Sequence, residues 1–246
     1  MNARHCAHFA AAALLGAAPL LLVAPAQAAT PLCFGKPATI VGTPGPDILV
    51  GEGGTSDVVY GGGGADYILG GEFYGDEDNP GTAPDLLCGG PGADDVIGSP
   101  GDDKLNGGDG KDAVDGANGA DLEQGNAGDD SVGQGSFEDA DSADDVIRGN
   151  GGRDTLSGGW GSDSLYGDAG ADTLIDNECD GPTVMRGGDG ADFLESWSSS
   201  IEGWHDNVCS SVADLVSGGQ GVDTAETDRR DFVRAIEHLT RITTAN

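Results

Sequence analysis

Single apolar residues recur along this chain at a spacing of nine, each standing two places after an aspartate and flanked by small or polar neighbours. Ile68, Val96, Leu105, Val114, Val132, Ile147, Leu156, Leu165, Leu174 and Leu194 all hold this position. The pattern predicts very short strands whose central residue points inward while its neighbours point out. Between the strands the chain repeats a glycine-rich phrase, Gly-Gly-x-Gly-x-Asp, followed by the strand half x-(apolar)-x. Clean copies begin at Gly61, Gly89, Gly107, Gly158 and Gly187. Glycine at the first, second and fourth places permits positive φ and close backbone approach, so the phrase reads as a tight turn. Two such units make a flattened coil of about 18 residues with a turn on each side. Coils then stack at the inter-strand spacing of ~4.8 Å, and 8 or 9 of them give a rod roughly 40 Å long. The chain is therefore expected to be all-β, a two-sided solenoid with a thin double ladder of apolar residues as its core.

The sixth place of the repeat gives a series of candidate metal ligands: Asp47, Asp57, Asp66, Asp85, Asp94, Asp103, Asp112, Asp121, Asp130, Asp145, Asp154, Asp163, Asp172, Asp192, Asp214 and Asp223. First-place glycines, among them Gly61, Gly89, Gly107, Gly158, Gly187 and Gly218, add backbone carbonyl oxygens to the same turns. Most steps between aspartates are nine residues. The longer ones contain insertions in the turn half, at Glu72 to Pro84, Gln134 to Ala143, Asp176 to Pro182 and Ser196 to Ala213. A solenoid tolerates such insertions because they project from its turns. A degenerate turn is expected between Asp172 and Asp192, with Thr183-Val184-Met185 as its strand and no ligand aspartate. The repeat that starts at Gly116 places Glu123 where an apolar residue belongs. Either the core is weakened there or that carboxylate turns to solvent.

Charge decides what the turns are for. The 246 residues carry a formal net charge of −32, with 45 glycines and only 5% aromatic residues. So little large apolar surface cannot build a thick core. An acidic ribbon repels nucleic acid and anionic membranes and attracts cations. Carboxylates stacked at ~4.8 Å repel one another unless a cation lies between them. Aspartate oxygens and glycine carbonyls form an all-oxygen cage of flexible geometry, which suits several Ca²⁺ ions better than Mg²⁺. The apo array is then expected to be largely unfolded, and metal binding to supply folding free energy.

These repeats resemble the hemolysin-type calcium-binding repeats of the RTX family. The resemblance spans residues 42–226 and implies a parallel β-roll with calcium held between turns on the same edge. Residues 29–41 then form an N-terminal cap. Residues 227–246, with Arg229-Arg230-Asp231 and the run Val233-Arg234-Ala235-Ile236-Glu237, read as a C-terminal cap over the open end.

Residues 1–28 read as a secretory signal peptide: Arg4 precedes an apolar run from Phe9 to Val23, and Ala26-Gln27-Ala28 supplies a small-x-small cleavage site. The mature chain is thus expected to be extracellular, monomeric and not inserted in a membrane. Cys33, Cys88, Cys179 and Cys209 remain after cleavage, an even number consistent with two disulfides in an exported protein. Cys179 and Cys209 lie in insertions two half-coils apart, hence on one edge, and are expected to pair, which leaves Cys33 for Cys88.

Nothing in the chain suggests catalysis. Gly107 to Asp112 echoes a phosphate-binding loop but has Asp112 where serine or threonine is needed. Asp76 opens a phrase like an EF-hand loop whose twelfth position is Leu87 rather than glutamate. His205 and His238 belong to no metalloprotease phrase, and the chain has no nucleophile elbow. Trp160 sits at the variable third place of its repeat, whereas Trp197 and Trp204 fall in the long insertion beside Cys209. The tryptophan-rich insertion is the candidate for binding a glycan or other cell-surface partner.

Overall fold

The computed structural model describes residues 29–71, 82–133, 143–176, 181–196, 214–227 and 231–241. Every regular element among them is a strand. A short antiparallel hairpin, β1 (Leu32–Cys33) with β2 (Lys36–Pro37), precedes the solenoid. The rest of the chain alternates between two ten-stranded parallel sheets. One contains β3 (Ile40–Val41), β5 (Val58–Tyr60), β7 (Leu86–Gly92), β9 (Lys104–Gly110), β11 (Leu122–Ala127), β13 (Val146–Gly152), β15 (Ser164–Gly170), β17 (Val184–Asp189), β19 (Leu215–Gln220) and β21 (Phe232–Arg234). The other contains β4 (Ile48–Val50), β6 (Tyr67–Leu69), β8 (Asp95–Ile97), β10 (Ala113–Asp115), β12 (Ser131–Gly133), β14 (Thr155–Ser157), β16 (Thr173–Asp176), β18 (Phe193–Ser196), β20 (Thr224–Thr227) and β22 (His238–Arg241). Successive strands of the chain lie in opposite sheets and each strand pairs with the one two before it. This is a parallel β-roll, as the resemblance of the repeats implies. The segment set apart in the sequence as a C-terminal cap supplies β21 and β22, the last strand of each sheet.

The register aligns the inward residues one above another. Val59, Leu87, Leu105, Glu123, Ile147, Leu165, Met185 and Val216 form one ladder. Ile68, Val96, Val114, Val132, Leu156, Leu174, Leu194 and Ala225 form the other. All these apolar residues are buried in one continuous cluster, flanked at its ends by Ile40, Leu49, Val233 and Ile236. Strand residues on either side of them face outward. On that outer face Arg148 lies 4.3 Å over the Tyr166 ring and 3.5 Å from Asp168, with Arg186 5.6 Å from the same ring.

Two sequence expectations change here. Glu123 faces the core and is only 1% exposed, so of the two outcomes open to it the carboxylate does not turn to solvent. Its strand register leaves no choice, because a one-residue slip would expose the whole inward face of β11. The degenerate strand is β17, which begins at Val184, so Met185 and not Val184 points inward. Thr183 therefore stands one place before the strand, where the other turns carry aspartate.

Cys33 and Cys88 form the expected disulfide, with Cα atoms 5.7 Å apart, which ties the N-terminal hairpin to β7. Cys179 and Cys209 lie outside the described residues.

Candidate metal centre

The turns fall on two edges of the roll, distinguished by the sheet they enter. The first edge holds the turns that enter β4, β6, β8, β10, β12, β14, β16, β18 and β20, ending at Asp47, Asp66, Asp94, Asp112, Asp130, Asp154, Asp172, Asp192 and Asp223. The second holds those that enter the other sheet, at Asp57, Asp85, Asp103, Asp121, Asp145, Asp163, Thr183 and Asp214. All sixteen aspartates singled out in the sequence thus sort into two columns. Gly61, Gly89, Gly107, Gly187 and Gly218 open turns of the first edge, and Gly158 opens one of the second. Every insertion interrupts the second edge. The first edge keeps its six-residue turn throughout.

Glycine is required where the turns stack. From Gly62 onward, second-place residues of the first edge adopt positive φ, from 68° at Asp168 to 120° at Gly108. At the fourth place a β-carbon on Gly110, Gly128, Gly152, Gly170, Gly190 or Gly221 would run into the carbonyl oxygen of the fourth-place glycine one coil earlier. Side chains other than hydrogen would force the coils apart.

Each column is also a hydrogen-bond ladder. On the first edge the backbone N–H of each aspartate donates to Oδ1 of the aspartate one coil on, at 2.8–3.1 Å from Asp47 to Asp223. The last rung is Glu237, whose carboxylate accepts from Asp223 N–H at 2.8 Å. On the second edge the ladder runs Asp57, Asp85, Asp103, Asp121, Asp145 and Asp163 at 2.7–2.9 Å. It continues through Thr183 Oγ1, which accepts from Asp163 N–H at 3.3 Å, to Asp214 and Asp231. Sequence reading missed Thr183, Asp231 and Glu237 as rungs. Thr183 breaks the residue type, and Glu237 follows Asp223 by only 14 residues, off the nine-residue step. What marks all three is that each directly precedes a strand.

The ladder uses one carboxylate oxygen and leaves the other. On the first edge, Oδ2 of Asp66, Asp94, Asp112, Asp130, Asp154, Asp172, Asp192 and Asp223 is buried with no hydrogen-bond partner. Backbone carbonyls point into the same spaces: a β-carbon on Gly167 would lie 2.5 Å from both Asp172 Oδ2 and the Gly187 carbonyl oxygen of the next coil. Buried carboxylate oxygens without donors are costly, by several kcal/mol in general terms. Burial accordingly pushes the carboxyls of Asp112 and Asp172 up to about 7 and that of Asp154 to about 6, with neighbouring carboxylates adding to the effect. Backbone N–H donors oppose it, foremost that of the preceding rung. Asp94, Asp130 and Asp192 shift upward for the same principal reason.

A hard divalent cation fits this donor set, because carboxylate and carbonyl oxygens of successive turns converge with no donor between them. Bound calcium would supply the positive charge that the column lacks. First-edge aspartates and turn carbonyls would hold it, and the glycines bring the turns close enough for oxygens of two coils to face one space.

The wider comparison agrees with this geometry. No curated protein matches the chain. The model of the RTX calcium-binding nonapeptide repeat matches it in four copies, over residues 39–55, 89–123 and 139–174. The chain thus carries RTX-type calcium-binding nonapeptide repeats, and its repeats wind into a parallel β-roll.

Proposed function

We propose that the protein is an exported calcium-binding roll without catalytic activity of its own, which folds when it meets extracellular calcium. The observation that carries this reading is the file of eight buried Oδ2 atoms on the first edge that have no hydrogen-bond partner. A chain with a formal charge of −32 cannot hold such a file at neutral pH without a counter-charge, so calcium binding and folding are one equilibrium. Affinity of about 10⁻⁴ to 10⁻³ M suits a module that meets calcium outside the cell. The signal-like segment at residues 1–28 supports export. A circular dichroism titration tests the coupling: the β signal should develop between chelator and ~10 mM Ca²⁺. An unchanged spectrum would remove calcium as the folding trigger.

A second reading, a scaffold that presents its insertions to a glycan or cell-surface partner, rests on their all interrupting one edge. Replacing Trp197 and Trp204 by alanine would then abolish binding to intact cells or isolated polysaccharide and leave the calcium transition in place. Retained binding would remove this reading.

A further inference from the structure

The two edges share buried second oxygens, Oδ2 of Asp121 and Asp163 midway along the second edge included, and differ towards the ends of the second. On the first edge the second oxygen of each rung from Asp66 to Asp223 has no donor. Towards both ends of the second edge a hydroxyl stands between successive rungs. Near the start, Ser99 Oγ lies 3.1 Å from Asp85 Oδ2 and 3.4 Å from Asp103 Oδ2, and the Ser99 backbone N–H donates to Asp103 Oδ2 at 2.8 Å. Near the finish, Ser196 Oγ lies 2.5 Å from Asp214 Oδ2 and 3.3 Å from Asp231 Oδ2. Between these regions Thr183 replaces the rung carboxylate itself.

We propose that serine hydroxyls take the place of calcium at both ends of the second edge, with Thr183 removing a carboxylate between them, so that the first edge carries the calcium file and the second is held in part without metal. This inference rests on the calcium reading above and assigns its sites. Ser99 and Ser196 are 2% and 1% exposed, so each fills buried space between two turns, which is where a bridging ion would have to sit. Each also gives a buried carboxylate oxygen a hydroxyl donor. Thr183 lowers the negative charge of the column by one where it stands. The second edge is also the one broken by insertions. An edge whose turns are interrupted cannot present a constant set of glycine carbonyls, whereas a side-chain hydroxyl needs only its two neighbouring rungs. The chain thereby keeps two functions apart: a regular edge that senses calcium and an irregular edge free to vary.

The test counts bound calcium on the full chain by equilibrium dialysis with calcium alone, in wild type, Asp130→Asn, Asp103→Asn and Ser99→Ala. Asp130→Asn should lose at least one ion and raise the calcium midpoint of folding by about threefold or more. Asp103→Asn and Ser99→Ala should keep the wild-type count. Loss of an ion in either of these second-edge variants overturns the proposal. If Asp103→Asn does not fold, Ser99→Ala decides alone, since it leaves both carboxylates in place. A wild-type chain that binds no calcium would instead overturn the functional reading on which the proposal stands.

Discussion

Glu123 allows the sharpest check on how this roll is held together. It is 1% exposed, stacked between Leu105 and Ile147 in its own sheet, and Val114 and Val132 hold the inward places of the preceding and following strands, β10 and β12. Its Oε2 has no hydrogen-bond partner. Burial holds its carboxyl well above the usual range, and the charges of Asp145, Asp121 and Asp115 push it the same way, against a backbone hydrogen bond from Gly133. Replacing it with leucine restores the ladder. Burying the leucine side chain contributes about 1.5–3 kcal/mol, and removing the unsatisfied oxygen another ~1–3 kcal/mol. A gain of about 2.5–6 kcal/mol follows, which for a domain of this size raises Tm by roughly 5–25 °C.

The pH dependence adds a second signature. A carboxyl whose pKa is higher in the folded state contributes stability below its unfolded pKa and loses it as pH rises towards the folded value. The advantage of Glu123→Leu should therefore grow as pH is raised from about 4, while Glu123→Gln should show little pH dependence at this site. Thermal melting of the calcium-saturated proteins at pH 5 and pH 8, followed by circular dichroism, measures both. A leucine variant no more stable than wild type at pH 8 would refute the reasoning and show that Glu123 serves the fold through an interaction outside the ladder.

Other substitutions address the remaining parts. Gly128→Ala should abolish the cooperative calcium transition, because its β-carbon would strike the Gly110 carbonyl at a φ of 148°. Gly151→Ala, whose nearest contact is 3.6 Å away, should cost about 1 kcal/mol or less. Leu165→Ala, in the middle of its ladder, should cost about 2–5 kcal/mol in chemical denaturation of the calcium form. Raising the pH from about 5 to 7.5 should lower the calcium midpoint severalfold, since protons hold the carboxyls of Asp112, Asp154 and Asp172 up to about 6 or 7 and calcium must displace them. In chelator the same shifts have the opposite consequence. The metal-free roll is favoured below about pH 4 and loses stability as pH rises through 6 to 7, so acid should partly restore the β signal without calcium.

Much of this was legible from the chain alone, and the reason is local. Positive φ at the second place, a carboxylate at the sixth and one apolar residue at the eighth are demands made within nine residues. Any reader of Gly107 to Asp115 can state them. The two ladders, the direction of the strands and the oxygen-rich turns follow from repetition of those demands. The Cys33–Cys88 bridge was reached by elimination, because only four cysteines follow the signal-like segment.

What the tertiary structure alone decided depends on parity and on contacts between coils. Sequence spacing shows where the period breaks. Only the stacking shows that all the breaks share one edge, since each insertion precedes a strand of the same sheet. Ser99 lies 14 residues from Asp85 and Ser196 lies 35 from Asp231, distances that carry no local signal until coils are laid one on another. Thr183 and Glu237 became rungs because the ladder needs an oxygen before each strand and accepts one from a hydroxyl or a longer carboxylate. Glu123 faces inward for a related reason: paired on both sides, β11 cannot turn a single residue outward without losing its register. The repeat wrote the coil, and stacking assigned each coil its neighbours, and so separated an edge suited to metal from one held in part by hydroxyls.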